Sequence, residues 1–402
     1  MALPPWLQPL PDAAHQRALD RWAIEQRGIP GIALMERAGA GLAELVGARV
    51  GQGRIAIVCG KGNNGGDGLV AARLLRELGR EVDVLLLCAP DELRGDARAN
   101  LERLPGDPPR PFSPDALAGA AGVVDAVLGT GASGAPQGAV REAVEAIAAA
   151  GAAGATVIAC DVPSGVDATT GEVPGAAVVA DATATFHAAK PGLWIAPGKR
   201  HAGAVAVVPI GIPPDGRPGR PSVGLIEGAV LDALPARDAD ATKFDGGSVA
   251  VCGGSTGLSG APRLAAAAAA RAGAGYVTAL VPASLNLVFE LGQAEVMSVP
   301  LPEADGALAP AAVEPALARL ARADALVLGP GLGRADGARA FARELARRAP
   351  VPLLLDADGL NAHAGQLEAL AARTAPTVLT PHGGELARLL GVDGDAVRAR
   401  RL

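Results

Sequence analysis

Residues 55–75 read IAIVCGKGNNGGDGLVAARLL: a β-branched apolar run, nine residues dominated by glycine and asparagine, then an Ala/Leu-rich helical pattern. The order is strand, tight loop, helix. A glycine-rich turn lets backbone approach a ligand, and the first amides of the helix that follows point outward, unpaired and partly positive. Such a loop is a ready-made site for the phosphates of a nucleotide.

On either side of this stretch the chain alternates. Two helices come first, over Asp12 to Glu25 and Ile32 to Val46. After the strand Ile55 to Cys59 come a helix from Gly66 to Leu78, a strand Val82 to Cys88, a helix Pro90 to Arg103, a strand Val123 to Leu128, a helix Gln137 to Ala150 and a strand Thr156 to Asp161. Shorter strands follow at Ala182 to Phe186 and Ala204 to Pro209. Short strands alternating with amphipathic helices predict an α/β domain, a parallel sheet covered on both faces. Ligands bind such sheets outside the carboxyl ends of the strands. The segments there are GKGNNGGDG (60–68), LGTGASGAP (128–136), DVPSGVD (161–167) and FHAAKPG (186–192), all rich in glycine, hydroxyl or charge.

The proline- and glycine-dense stretch Gly211 to Ser222 reads as a linker. A second α/β pattern follows, with strands at Ser248 to Cys252, Tyr276 to Val281, Ala325 to Leu328, Pro352 to Leu355 and Thr377 to Leu379, and loops GGSTGLSGAP, GPGLG, DADGLN and TPHGGE between them. The expected organisation is two tandem domains, 1–212 and 223–402.

Composition narrows the function classes. Of 402 residues, 2% are aromatic and the net charge is −6, so the basic, aromatic-studded surface of a nucleic-acid binder is not expected. The longest apolar run, Ala146 to Cys160, contains two glycines and is shorter than the roughly 20 residues of a membrane span. The N-terminus lacks a basic segment followed by an apolar one, so a cytoplasmic protein is expected. Cys59, Cys88, Cys160 and Cys252 are far apart in sequence and read as reduced thiols.

Gly60, Gly62 and Gly65 satisfy G-x-G-x-x-G, but the second strand ends in Leu87, Cys88 and Ala89, without the acid that a dinucleotide fold places there. A Lys-Ser/Thr pair after the glycines is missing too, so the P-loop fails. Asn63, Asn64 and Asp67 need another account. A carboxylate beside an anion site repels phosphate, so Asp67 reads as a helix cap or an acceptor for ribose hydroxyls. The Asn64 carbonyl, the Asp125 carboxylate and a hydroxyl such as that of Ser164 could together hold a hard monovalent or divalent cation.

With the upstream LMERAG (34–39), the motifs NNGGDGLVAARLL, VVDAVLGTGASG and DVPSGVDATTG resemble the N-terminal YjeF domain, the epimerase of hydrated NADH and NADPH, a Rossmann-like three-layer α/β/α sandwich. The second half, with GGSTGLSGAPRLAAAAAARAGAGYVT, LVLGPGLG, LLLDADGLN and LTPHGGELARLLG, is similar to the ribokinase-like dehydratase acting on the same damaged cofactor. The resemblance covers nearly the whole chain. It implies a multifunctional metabolite-repair enzyme, isomerase and lyase, with a small-molecule substrate.

For the first domain the resemblance implies substrate on Asn63, Asn64, Gly65, Gly66 and Asp67, on Gly129, Thr130, Gly131, Ala132, Ser133, Gly134 and Ala135, and on Asp161. It implies potassium on Asn64, Asp125 and Ser164, and proton transfer by Asp161 with Lys190 beside it. For the second domain it implies substrate contacts at Ala261, Gly333 and His382, with ADP or ATP and magnesium as cofactors. The family's late G-x-G-D motif does not occur after Glu385, from which a C-terminally shortened domain unable to dehydrate is expected. Exposed edges of an unfinished sheet would favour association with another chain, a homo-oligomer among the options. Two other readings are a ribokinase-type small-molecule kinase and a non-catalytic nucleotide-binding protein.

Overall fold

The computed structural model describes residues 3–213, 219 and 221–401. It separates into two compact units, Met1–Leu234 with Arg398–Leu402, and Pro235–Val397. Of the expected linker, 214–218 and 220 lie outside the described residues.

The first unit holds β1 (Leu7–Leu10), β2 (Ile55–Cys59), β3 (Val82–Leu86), β4 (Arg110–Pro111), β5 (Gly122–Ala126), β6 (Thr156–Cys160), β7 (Ala182–Phe186), β8 (Ala204–Val208) and β9 (Val223–Ile226). Seven of them form one parallel sheet in the order β4-β3-β2-β5-β6-β7-β8. β9 pairs antiparallel with β1, so residues from Val223 to Leu234 belong to the first unit, where the sequence reading assigned them to the second. β2, β5 and β7 are buried at every position, as a central parallel strand covered on both faces must be.

Helices α1 (Ala13–Glu25), α2 (Gly31–Arg49), α3 (Asn63–Glu77), α4 (Gly95–Glu102) and α5 (Gly138–Ala152) cover the sheet. Leu42, Val46, Leu69 and Leu75 pack with Ile55 and Ile57 on one face, while Val144 and Ile147 pack with Val58, Val123 and Val157 on the other.

α3 corrects the reading of the opening stretch. It starts at Asn63, three residues before the expected Gly66, with Gly62 as its N-cap and Gly66 N donating to Gly62 O at 3.1 Å. NNGGD is therefore the first turn of a helix and not a loop. The reason is packing: a Cβ on Gly65 would stand 1.9 Å from Gly60 O, so this glycine exists to bring the helix against the strand end. Asp67, five residues into α3 and 8% exposed, does not cap it.

The second unit carries β10 (Ser248–Cys252), β11 (Tyr276–Pro282), β12 (Met297–Leu301), the short pair β13 (Glu303–Ala304) and β14 (Ala307–Leu308), β15 (Ala325–Leu328), β16 (Leu353–Leu355) and β17 (Thr377–Leu379). Its main sheet has six parallel strands, β12-β11-β10-β15-β16-β17, five of them named in the sequence reading and β12 not. Phe341, Leu345, Leu326 and Leu328 build its larger core. Among the described residues no helix is long and apolar enough to cross a membrane. All four cysteines are free thiols, as read from their spacing.

Candidate active site

Asp161 follows directly on β6 and stands in the left-handed region at φ +67°; His187, directly after the neighbouring β7, does the same at +66°. Non-glycine residues rarely enter that region, and Asp is among the few that tolerate it. Asp161 N donates to Ala184 O at 2.7 Å, which ties the turn to β7 and lifts the carboxylate off the strand end.

Lys190 reaches that carboxylate from complete burial. Its Nζ donates to Asp161 Oδ1 at 2.6 Å, Thr185 Oγ1 at 2.8 Å and Phe186 O at 2.9 Å, so all three ammonium protons are used. Asp161 Oδ2 accepts from Thr130 N at 3.1 Å and from Thr130 Oγ1. Burial alone would raise the Asp161 pKa, but the Lys190 charge and the donors from Lys190 and Thr130 outweigh it and hold the carboxyl below its ordinary value. Asp161 is thus a preformed anion.

Asp125, wholly buried in β5, is built differently. Ser164 Oγ and N donate to its two oxygens at 2.6 and 2.8 Å, and Val127 N to one of them at 3.3 Å. Burial pushes its pKa to about 6 against these hydrogen bonds. Asn64, in the first turn of α3, lies beside Gly129: a Cβ there would stand 2.9 Å from Asn64 Oδ1. Asn64 Nδ2 is buried without a hydrogen-bond partner among the described residues. Its backbone O lies 3.8 Å from Cys160 Sγ, so the first turn of α3 sits against the end of β6.

Of the other expected residues, Thr130 is buried against Asp161, while Asn63, Gly131, Ser133, Gly134 and Ala135 are exposed along the rim and Ala132 is half-buried. Gly65 and Gly66 are buried packing residues of α3. Sequence reasoning missed Gln16 and Asp20 on α1. Buried Gln16 donates Nε2 to Asp20 Oδ1 at 2.9 Å, and its Oε1 is buried without a partner among the described residues. α1 reaches the same edge, since Ala13 N donates to Thr169 Oγ1 at 3.2 Å in the segment after Asp161. The signal was Q-x-x-x-D, two polar residues one turn apart on the buried side of a helix.

In the second unit the loops after β10, β15, β16 and β17 also meet. Ser255 Oγ donates to Gly331 O at 2.9 Å, and Gly333 N donates to Asp358 Oδ2 at 3.1 Å. Asn361 donates to Asp358 at 3.1 Å and accepts from Arg388 at 2.9 Å, which connects the helix Gly383–Leu390 to the same edge. His382 caps that helix: its Nδ1 accepts from Gly384 N at 3.0 Å and its N donates to Glu385 Oε2 at 2.9 Å. Ala261 is exposed near the start of the helix Gly260–Arg271.

Two family models match in tandem, YjeF-related protein N-terminus over 31–192 and NAD(P)H-hydrate dehydratase over 249–400. The bifunctional NAD(P)H-hydrate repair enzyme of Salinibacter ruber is 42% identical over 427 residues, which cover 97% of this chain and 77% of the relative. The chain belongs to the family of bifunctional NAD(P)H-hydrate repair enzymes. That of Moorella thermoacetica is also 42% identical, over 97% of this chain and 76% of its own length. A Bacillus subtilis ADP/ATP-dependent NAD(P)H-hydrate dehydratase, crystallised with ATP and Mg2+, is 26% identical over 42% of this chain and 56% of its own, with a TM-score of 0.34. The dehydratase model matches through residue 400, and these matches do not support the expectation that the second half is inactive. Two repair-enzyme models in tandem likewise disfavour a plain kinase or a non-catalytic binder.

Proposed function

We propose that the first unit interconverts the R and S forms of hydrated NADH and NADPH at C6, and that the second returns the S form to NAD(P)H by ADP- or ATP-dependent dehydration. The observation that carries the first half is the Asp161–Lys190 pair: an ionised carboxylate, fixed by three different residues, at the carboxyl edge of a parallel sheet.

The hydrate carries a hydroxyl on C6, next to the nitrogen of the reduced nicotinamide ring. Epimerisation needs the ring nitrogen to expel that hydroxyl and water to return on the other face of the planar iminium. A protein group must give a proton to the leaving oxygen and take one from the returning water. In this reading Asp161 takes the second task, and the orientation of its oxygens by Lys190 and Thr130 supports it. The rim from Gly129 to Ala135 and the first turn of α3 supply backbone amides for the dinucleotide.

Asn64, Asp125 and Ser164 fit potassium. They offer three hard oxygen donors, Asn64 Oδ1 faces Gly129, which has no side chain to cover it, and among the described residues no cationic side chain is bonded to the Asp125 carboxylate. The ion would supply positive charge beside a buried acid and an anionic substrate. In the second unit, Asp356 and Thr380, joined by a 2.8 Å hydrogen bond, offer the oxygen donors magnesium takes, and a bound nucleotide supplies the phosphoryl group. Ala261, Gly333 and His382 would contact the substrate. A cytoplasmic location and a homo-oligomeric state belong to the same reading.

The test is incubation of pure R hydrate with the chain, with and without potassium, following S by chromatography. Acceleration over the spontaneous rate is expected, and its absence overturns the epimerase reading. Nucleotide-dependent recovery of NADH absorbance from the S hydrate tests the second half in the same way.

A further inference from the structure

Epimerisation requires an acid and a base, and Asp161 is committed to one of these roles. Its anion is fixed by Lys190 and Thr130, so it arrives ready to take a proton and without one to give. The acid must come from elsewhere in the cluster.

Three carboxyl groups share this edge with one ammonium group. Asp67 is on α3 three residues after Asn64, whose backbone touches Cys160, and Asp20 is on α1, whose N-terminus is bonded to Thr169. Lys190 spends its protons on Asp161, Thr185 and Phe186. Of the two further carboxylates, Asp67 is buried and Asp20 half-buried, and like charges in a poorly hydrated site oppose the ionisation of both around that pair. The hydrogen bonds decide which one keeps a proton. Asp20 receives an N–H from Gln16, whereas Asp67, 8% exposed, receives none from any described residue. Burial first, then the Asp161 and Asp20 charges, push the Asp67 carboxyl well above its ordinary value, with Lys190 opposing. The other titratable neighbours, Cys59 and Cys160, are thiols kept protonated by burial.

We propose that Asp67 is the neutral general acid of the epimerase site and Asp161 its anionic base, with Asp20, held by Gln16, as a positioning residue that keeps the proton on Asp67. This rests on the epimerase reading above. Asp67 gives its proton to the C6 hydroxyl, the C6–O bond breaks as the ring nitrogen lone pair forms the iminium, and water departs. Water then adds to the opposite face of C6, the lone pair returns to nitrogen, and Asp161 takes the proton released. One proton passing from Asp161 back to Asp67 through solvent restores the starting state. The S-to-R direction runs these steps backwards with the roles exchanged: a proton first passes from Asp67 to Asp161 through solvent, Asp161 gives it to the leaving oxygen, and Asp67 takes one from the returning water.

Two carboxyl groups with divergent environments are the pattern by which one site performs acid and base chemistry at neutral pH. Asp67→Asn, nearly isosteric, is expected to lower kcat by about 10²–10⁴-fold, with retained binding of NADH by fluorescence and removal of the alkaline limb of the residual rate. Asp20→Asn removes a like charge and moves the alkaline limb of kcat/KM down by about one pH unit. Carbon-13 NMR of aspartate-labelled chain reads the proton directly: one side-chain carboxyl still neutral at neutral pH and absent from Asp67→Asn is expected. Aspartates that are all ionised at neutral pH overturn the proposal, as does an Asp67→Asn variant that keeps the wild-type rate and alkaline limb. An inactive wild type sinks the epimerase reading alone, because the NMR result stands without turnover.

Discussion

Lys190 Nζ lies 2.6 Å from Asp161 Oδ1, with the lysine side chain 1% exposed and the aspartate 13%. Neither charge has water enough to stand alone, so each is the other's condition for burial. Lys190→Met keeps the bulk and removes the charge, and is expected to destabilise the first unit by about 3–5 kcal/mol in urea titrations. Adding Asp161→Asn should recover part of that loss, since it removes the stranded anion. A double variant no more stable than Lys190→Met would contradict the coupling.

Acid titration should separate the carboxyl groups by sign. Asp161 is held below its reference value of 3.8, so its contribution to stability is full above that value and is lost as pH falls through the lower folded value. Asp67 is displaced the other way, and its contribution fades as pH rises above 3.8. Asp67→Asn should therefore be more stable than wild type near neutral pH, by about 1 kcal/mol or more, with the gap closing in acid. Thermal unfolding across pH checks both signs, and a gap that widens in acid would refute the assignment.

Potassium should raise the melting temperature in a saturable way. A ligand bound only by the folded state adds about 2.7 kcal/mol at one hundred times its dissociation constant. Asp125→Asn should abolish the response while leaving the hydrogen bond from Ser164 N. A melting temperature that does not depend on potassium would remove the ion from the mechanism.

Two glycines in one motif should behave unlike one another. A methyl on Gly65 meets Gly60 O at 1.9 Å, whereas one on Gly62 meets nothing within 4 Å. Gly65→Ala is expected to cost at least about 1–3 kcal/mol and to disturb the first turn of α3; Gly62→Ala, losing only a modest N-cap preference, about 1 kcal/mol or less. Equal costs would show that the strand and helix can move apart.

In the second unit, His382→Ala removes the acceptor for Gly384 N and should cost about 0.5–2 kcal/mol of stability in addition to any loss of substrate affinity. His382→Asn keeps a capping oxygen and should restore the stability alone, which separates capping from binding.

The parallel sheets were legible because runs such as IAIVC and LVLG are apolar at every position and separated by amphipathic helices. Two-residue β4 and the proline-containing β12, MSVPL, carry no periodic signal long enough to read. The start of α3 was misplaced because glycine marks a turn in sequence but here marks a tight seam, and only the backbone opposite tells the two apart. Asp161, Thr130 and Ser164 lie in segments that follow strands, where the sequence reading looks for a site, while Asp125 lies inside β5 and was named as a cation ligand, for potassium through the resemblance. Gln16 and Asp20 were not legible: a polar pair on an amphipathic helix looks solvated until the element covering it is known.

The left-handed Asp161 has a consequence for engineering. A non-glycine residue at φ +67° costs roughly 1 kcal/mol or more, and the buried charge beside it costs further. Selection for heat resistance alone would therefore replace Asp161 and Lys190 together, by glycine and an apolar residue, and would converge on a sturdier protein without turnover. The residues that make this sheet edge reactive are the ones by which the fold falls short of its greatest attainable stability.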